Sequence, residues 1–290
     1  MELRDFLFKI KLCKGIGIRG ETKLYNWLIE HDLNFSELTI EMIIKISNLN
    51  KKHQARFLSD FKSESLNERI KLNQKKYLWI SINDYNYPNQ LRESYLPPII
   101  LFYRGNINLL DTPLLGIVGS RLSNQKNSNA SYSLNKLLKP LCKTNLTTIS
   151  GLAKGSDTLA HKYSIFYKLN TVGVIASDLD YVYPKENIQL QKEMFENYLV
   201  ISEYPLNTKP LKSHFVERNR IIAGLCSSLL VVEAKEKSGS LITANLALQN
   251  NRNILAVPGS LRDELSIGCN QLILAGARPC LTHFDIIEEM

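Results

Sequence analysis

The chain reads as an α/β protein: a doubly wound, mostly parallel sheet with a small all-helical module in front of it. Three observations lead there. Short apolar, β-branched runs recur as LLGIV (114–118), TTIS (147–150), TVGVIA (171–176), LVIS (199–202), SLLVVE (228–233) and NILAVP (253–258). Helical stretches of about a dozen residues separate them, the alternation that makes a parallel sheet. The runs are continuously apolar, as strands covered by helices on both faces must be. Such a pattern is Rossmann-like.

Residues 1–66 are expected to be helical. Leu3, Phe6, Leu7 and Ile10 have helical spacing, as do Leu24, Trp27 and Leu28, and Leu38, Ile43, Ile44, Phe57 and Leu58 continue the apolar theme. The turn Lys14-Gly15-Ile16-Gly17, with Arg19 close by, has two readings. It is a plain turn in a helical bundle, or it offers backbone N–H groups to a phosphate. Residues 67–110 read as a connector packing on the main domain. Tyr77 to Ile80 and Ile99 to Tyr103 look like strands, with Asp84-Tyr85-Asn86-Tyr87-Pro88 as a turn and Arg104-Gly105 as a stop. Residues 111–290 form the sheet domain.

Composition narrows the function. Of 290 residues, 44% are hydrophobic and 22% charged, which is globular. Thirty-six Lys and Arg against 28 Asp and Glu give a net charge of +8, which favours a polyanionic partner. No block of consecutive cations occurs, so folding must assemble any binding patch. The five cysteines form no CxxC pair and have no histidine at zinc spacing. Reduced thiols, no metal and no cofactor are the expectation. The N-terminus is too charged for a signal peptide, and no apolar run reaches membrane length, so a cytoplasmic protein is expected.

In a doubly wound sheet, ligands bind beyond the carboxyl ends of the strands. Here those ends carry Gly119-Ser120-Arg121, then Gly151, Lys154 and Gly155, then Lys185, then Glu203, then Glu233 with Ser238-Gly239-Ser240. Glycines let backbone approach an anion, and hydroxyls at helix starts donate to it. Lys212, Phe215, Arg218, Asn219 and Arg220 fall where a helix begins, placing a ring beside cations. Bases stack on such rings while Arg and Lys pair with phosphates. Arg218 and Arg220, two apart, cannot point the same way on a helix.

The segment Gly116-Ile117-Val118-Gly119 is not a dinucleotide fingerprint, and the chain has no P-loop. Ser120, His161 and Asp157 lack a nucleophile elbow, so no triad is expected. Glu203 and Glu233 read as a carboxylate pair, as ligands of loop N–H groups, or as partners of Arg218 or Arg220. No catalytic residue is assigned.

Together these motifs resemble the DprA/Smf family of DNA-processing proteins used in natural transformation. The resemblance runs in order from about residue 80 to 278. It includes Tyr87-Pro88, Gly119-Ser120-Arg121, Ser150-Gly151-x-Ala153-x-Gly155-x-Asp157, Tyr183-Pro184 and Ser202-Glu203-Tyr204-Pro205. It continues through Phe215-x-x-Arg218-Asn219-Arg220, Ser238-Gly239-Ser240, Val257-Pro258-Gly259 and Gly268-Cys269-Asn270. It departs at Ser156, where an apolar residue is usual, and at Ala176-Ser177, where Gly-containing turns are common.

The resemblance implies a non-enzymatic, cytoplasmic binder of single-stranded DNA that protects incoming strands and helps load the RecA recombinase. Single-strand binding protein would be a further partner. It implies a sterile-alpha-motif-like N-terminal module, phosphate contacts from Arg121, Lys185 and Lys212, and base stacking on Phe215. It also implies a homodimer through the segment of Asn270 and Ile273. No winged-helix segment is expected after residue 290. The alternative is a phosphoribohydrolase-like nucleotide-processing enzyme, which would carry a PGGxGT-type loop. Pro258-Gly259-Ser260-Leu261-Arg262 breaks that pattern.

Overall fold

A computed structural model describes residues 2–31, 35–123 and 128–290. Helices α1 (Leu3–Leu12), α2 (Ile18–Glu30), α3 (Ile40–Ile46), α4 (Lys51–Phe61) and α5 (Glu64–Lys76) come first. Thr39, Asn50 and Ser63 cap the last three through their side chains, satisfying N–H groups that have no intrahelical acceptor. Strand β1 (Leu78–Ser81), the single turn α6 (Asn89–Arg92) and β2 (Ile100–Gly105) follow.

The alternating part runs β3 (Leu114–Val118), α7 (Asn129–Leu138), β4 (Thr147–Ser150), α8 (Ser156–Phe166), β5 (Asn170–Ile175), α9 (Ile188–Asn197) and β6 (Leu199–Ser202). It continues with α10 (Lys212–Leu225), β7 (Ser228–Val231), α11 (Gly239–Gln249), β8 (Asn253–Ala256), α12 (Ile267–Leu274), β9 (Arg278–Pro279) and α13 (His283–Glu288).

Among the described residues all nine strands form one sheet, ordered β1-β2-β6-β5-β4-β3-β7-β8-β9. From β6 to β9 every pairing is parallel; β1 and β2 add an antiparallel edge. The six expected strands are present. The two connector strands join the same sheet, a pairing that local sequence does not encode.

Side chains alternate across each strand. Leu115 and Ile117 belong to a core with Leu134, Leu137, Leu230 and Leu255, whereas Leu114 and Val118 belong to the core on the other face. Helix α10 lies against β3 and β5 on that second face, with α11 beside it over β7 and β8. Cys226 and Cys269 are buried in this core, and burial pushes both thiols up to about 12.

The helical module is joined to the sheet in two ways. Phe8 of α1 packs on Trp79 and Phe102, with ring centroids 4.4 and 5.8 Å apart. Behind that contact lies a buried ionic quartet. Lys11 Nζ donates to Glu21 Oε2 at 3.0 Å and to Glu203 Oε1 at 3.1 Å, and Arg220 Nη2 donates to Glu203 Oε2 at 2.5 Å. Burial pushes the Glu203 carboxyl up, but Arg220 and Lys11 outweigh it and hold the group below its ordinary value. Burial alone would lower Lys11; the two carboxylates reverse that and raise it.

A neutral polar cluster fastens α8 to the sheet. Thr148 Oγ1 lies 2.7 Å from Ser164 Oγ and donates to Thr171 Oγ1 at 2.8 Å, while His161 Nδ1 is 2.7 Å from Thr171 Oγ1. His161 is fully buried, and burial, reinforced by the Arg218 charge, lowers its pKa to about 3.

Two outcomes follow. Glu203→Gln leaves Lys11 and Arg220 buried without their shared countercharge, so urea unfolding should show a loss of about 3–5 kcal/mol. His161 binds its proton more readily unfolded than folded, so its contribution is fully present above the unfolded value of roughly 6.5. That contribution is lost as pH falls from there toward the folded value of about 3. Unfolding titrations should show a steeper acid-side decline in the wild type than in His161→Gln.

Candidate nucleic-acid interface

The chain leaves β3, builds outward through β4, β5 and β6, and returns to β7 on the other side of β3. This reversal opens a crevice at the carboxyl ends of β3 and β7. A cleft of about 490 Å³ occupies it, bordered by Gly119, Ser120, Arg121, Asn219, Ser238 and Gly239. Helix α11 begins in the cleft. Its N-cap Ser238 makes no capping bond, and the buried Ser238 Oγ has no partner among the described residues. Ser240 Oγ donates to the Gly119 carbonyl at 2.9 Å, which ties the two loops together. Helix α11 therefore presents uncapped N–H groups at its positive end, an anion-binding geometry.

Beside the cleft stands the ring of Phe215, half-buried on the first turn of α10. Tyr183 lies 5.2 Å away between centroids, and the Arg121 guanidinium sits 5.3 Å from the Phe215 centroid. Cation–ring contact holds Arg121 over the platform without neutralising it. Lys212, exposed, is one turn before Phe215 on the same side of the helix. Helix α10 also lacks a side-chain cap. Lys185 is exposed two residues beyond Tyr183.

Several of the expected contact residues are engaged within the protein. Arg218 is 3% exposed; its Nη1 donates to the Val174 carbonyl at 3.0 Å and lies 3.9 Å from Asp157 Oδ2. Burial lowers the Arg218 pKa, and burial raises that of Asp157 despite the guanidinium beside it. Gly151 explains how Arg218 fits: a Cβ there would come within 1.4 Å of Nη1. Gly155, at φ +77°, packs its α-carbon against the Ser120 carbonyl, 2.2 Å from where a Cβ would stand. Both glycines thus close-pack loops. Lys154 is exposed and paired with Glu186 at 2.7 Å, a surface pair that salt screens.

Arg218 and Arg220 diverge as their spacing requires. Arg218 borders the switch-point cleft, and Arg220 turns to Glu203 in the quartet. The two strand-end carboxylates are not a pair. Glu203 serves Arg220 and Lys11, while Glu233 Oε1 accepts the Ala130 N–H at 2.7 Å at the start of α7. His161 turns to Thr171 and Asp157 to Arg218, so no triad forms. On α12, the Asn270 amide is bound to Gly259, donating to its carbonyl at 3.0 Å and accepting its N–H at 3.2 Å, and Ile273 is half-buried. Leu274, the last residue of α12, and Leu261, in the loop before it, are each 89% exposed.

Sequence reasoning left out Tyr183, Lys235 and Lys237. Tyr183 completes the platform, and the lysines border the cleft. Their signals were present: an aromatic in the loop after β5, and two cations just before Ser238.

Comparison with known proteins identifies the family. The family model described as DNA recombination-mediator protein A matches residues 78–290. The DNA processing protein DprA of Streptococcus pneumoniae is 43% identical over 215 residues, 74% of this chain and 75% of that one. The Bacillus subtilis DprA is 43% identical over 212 residues, 73% and 70% of the two chains. The crystal structure of the pneumococcal protein superposes with a TM-score of 0.88 at 37% identity, covering 97% of this chain and 96% of that one. A DNA processing protein A from Helicobacter pylori, whose structure was described for its single-stranded DNA binding mode, gives 0.65 at 28% identity over 73% of this chain and 94% of that one. The helical module lies before the matched family region, yet the pneumococcal overlap takes it in. On the sequence match across the sheet domain and the shared fold, the chain belongs to the DNA recombination-mediator protein A family.

Proposed function

We propose that the rim formed by Arg121, Tyr183, Lys185, Lys212 and Phe215, with the cleft at the start of α11, binds single-stranded DNA. The observation that carries this reading is the stacking platform: an accessible ring, braced by Tyr183 and flanked by an unneutralised guanidinium, next to uncapped helix ends. Unstacked bases have faces for such a ring, and their phosphates suit the cations. A duplex hides its base faces. The described binding mode of the Helicobacter pylori relative supports the same reading.

Binding rather than catalysis is what the buried carboxylates favour. Asp157, Glu203 and Glu233 are each committed to a guanidinium, an ammonium or an N–H group. The 258–262 loop, where a phosphoribohydrolase would hold its nucleotide, is bound by Asn270 at both polar groups of Gly259. The protein then acts in the cytoplasm in natural transformation, holding incoming strands for RecA, with single-strand binding protein as a further partner. Its described helices include none long and apolar enough to cross a membrane. Dimerisation uses α12, which carries Ile273 and the exposed Leu274, with Leu261 exposed in the loop before it.

Fluorescence anisotropy with single- and double-stranded oligonucleotides at two salt concentrations tests the reading. Single strands should bind more tightly, with strong salt dependence. Equal affinity for both forms would overturn it. Phe215→Ala should cost roughly 1–3 kcal/mol of binding by lost stacking, whereas Arg121→Glu should weaken binding and flatten its salt dependence. Gly151→Ala checks the support beneath the rim. Its methyl displaces the Arg218 guanidinium, so thermal unfolding should show about 1–3 kcal/mol of lost stability, with DNA affinity falling alongside.

A further inference from the structure

Helices α10 and α11 have two working faces. One borders the switch-point cleft. The other borders a larger cleft, about 930 Å³, between these two helices and the helical module. Val216, Ile242 and Leu246 make its apolar wall. Its polar end gathers the start of α2, Ser47 and Arg220.

Three observations make that polar end a seat for an anion. Helix α2 begins after Gly17, which has no side chain to cap the first turn, so the leading N–H groups and the positive helix end are open. Arg220 is 5% exposed and gives Nη2 to Glu203, while its Nε and Nη1 have no acceptor among the described residues. Ser47 Oγ, from the loop after α3, is likewise buried without a partner. Buried donors left unpaired are costly, and an oxyanion would relieve them together. Arg19 and His53, both exposed, add donors along the cleft.

The nearby acids are already engaged. Glu21 and Glu203 belong to the quartet, and Glu217 accepts the Tyr204 hydroxyl at 2.8 Å. The other half of the glycine turn is closed: the Lys14 N–H donates to Asp60 Oδ2 at 2.8 Å, and Gly15 packs on the backbone of His53 and Phe57. Gly17 faces open space, since a Cβ there would meet nothing within 4 Å.

We propose that this cleft binds the phosphate of a nucleotide, with the α2 N-terminus, Arg19, Ser47 and Arg220 as donors and the Val216–Ile242–Leu246 wall receiving the base. Apolar walls with a few convergent polar groups are the usual form of a small-ligand site. The site is separate from the Phe215 rim and does not depend on the single-stranded DNA reading. A free nucleotide and the 5′-phosphorylated end of a strand present the same group.

The test uses the full chain, 5′-dAMP, and a 12-nucleotide strand with and without a 5′-phosphate. Gly17→Asp puts a carboxylate where the phosphate would sit, at an N-cap position that favours Asp, so the fold is kept. Arg19→Glu reverses an exposed charge. If the ligand is a free nucleotide, dAMP raises Tm by a few degrees in the wild type and in Phe215→Ala, and both cleft variants lose the shift. If it is a strand end, the 5′-phosphate tightens binding about threefold or more, and Gly17→Asp removes that gain. Absence of both effects overturns the proposal. So does an effect that survives both cleft variants, or a dAMP shift that vanishes in Phe215→Ala, which would place the nucleotide on the rim.

Discussion

Glu203 is the constraint on which the rest of the molecule depends. It directly follows β6, the strand next to the antiparallel pair β1 and β2, and its carboxylate is fully buried. A buried carboxylate is tolerable only with countercharge and hydrogen bonds. Arg220 supplies one partner from α10, and Lys11 supplies another from α1. The sheet, the stacking helix and the helical module are therefore fixed at one point. The roll of α10 is set there too. With Arg220 turned to Glu203, Arg218 turns the other way, under Gly151 and toward Asp157. Phe215, one turn before Arg218, is left standing at the rim.

The rim separates support from contact. Ionic groups that orient the platform are buried, and the cations offered to solvent lie above them. Arg218 and Arg220 are nearly inaccessible, whereas Arg121, Lys185 and Lys212 are exposed. Neither guanidinium is offered at the rim: Arg218 is engaged with Val174 and Asp157, and Arg220 turns away to Glu203. Free charge matters more at the surface, where binding to a polyanion is driven by released counterions.

Much of this was legible in the sequence because it is local. Continuous apolar runs such as LLGIV and SLLVVE mark buried parallel strands, and the strand ends locate the crevice without further information. The i, i+2 spacing of Arg218 and Arg220 already required them to diverge. What was not legible is long-range. Glu203 is 192 positions from Lys11, and nothing near either residue announces the pairing. The antiparallel junction of β2 with β6 is likewise set by folding, and β9 is too short to show any periodicity. Lys154 read as a free cation because its partner, Glu186, lies in the next loop of the sheet. Gly151 looked like an anion-loop glycine, and only the packed guanidinium shows why a side chain is excluded.

The pair α10 and α11 is a shared partition between two clefts, with Asn219 and Ser240 on one side and Val216 and Leu246 on the other. A partition has a thermodynamic property that neither cavity has alone. If an occupant of one cleft shifts the helices and so changes affinity in the other by some factor, the occupant of the other must change affinity in the first by that same factor, because linkage is reciprocal. Coupling of this kind needs only that both occupants lean on the same two helices.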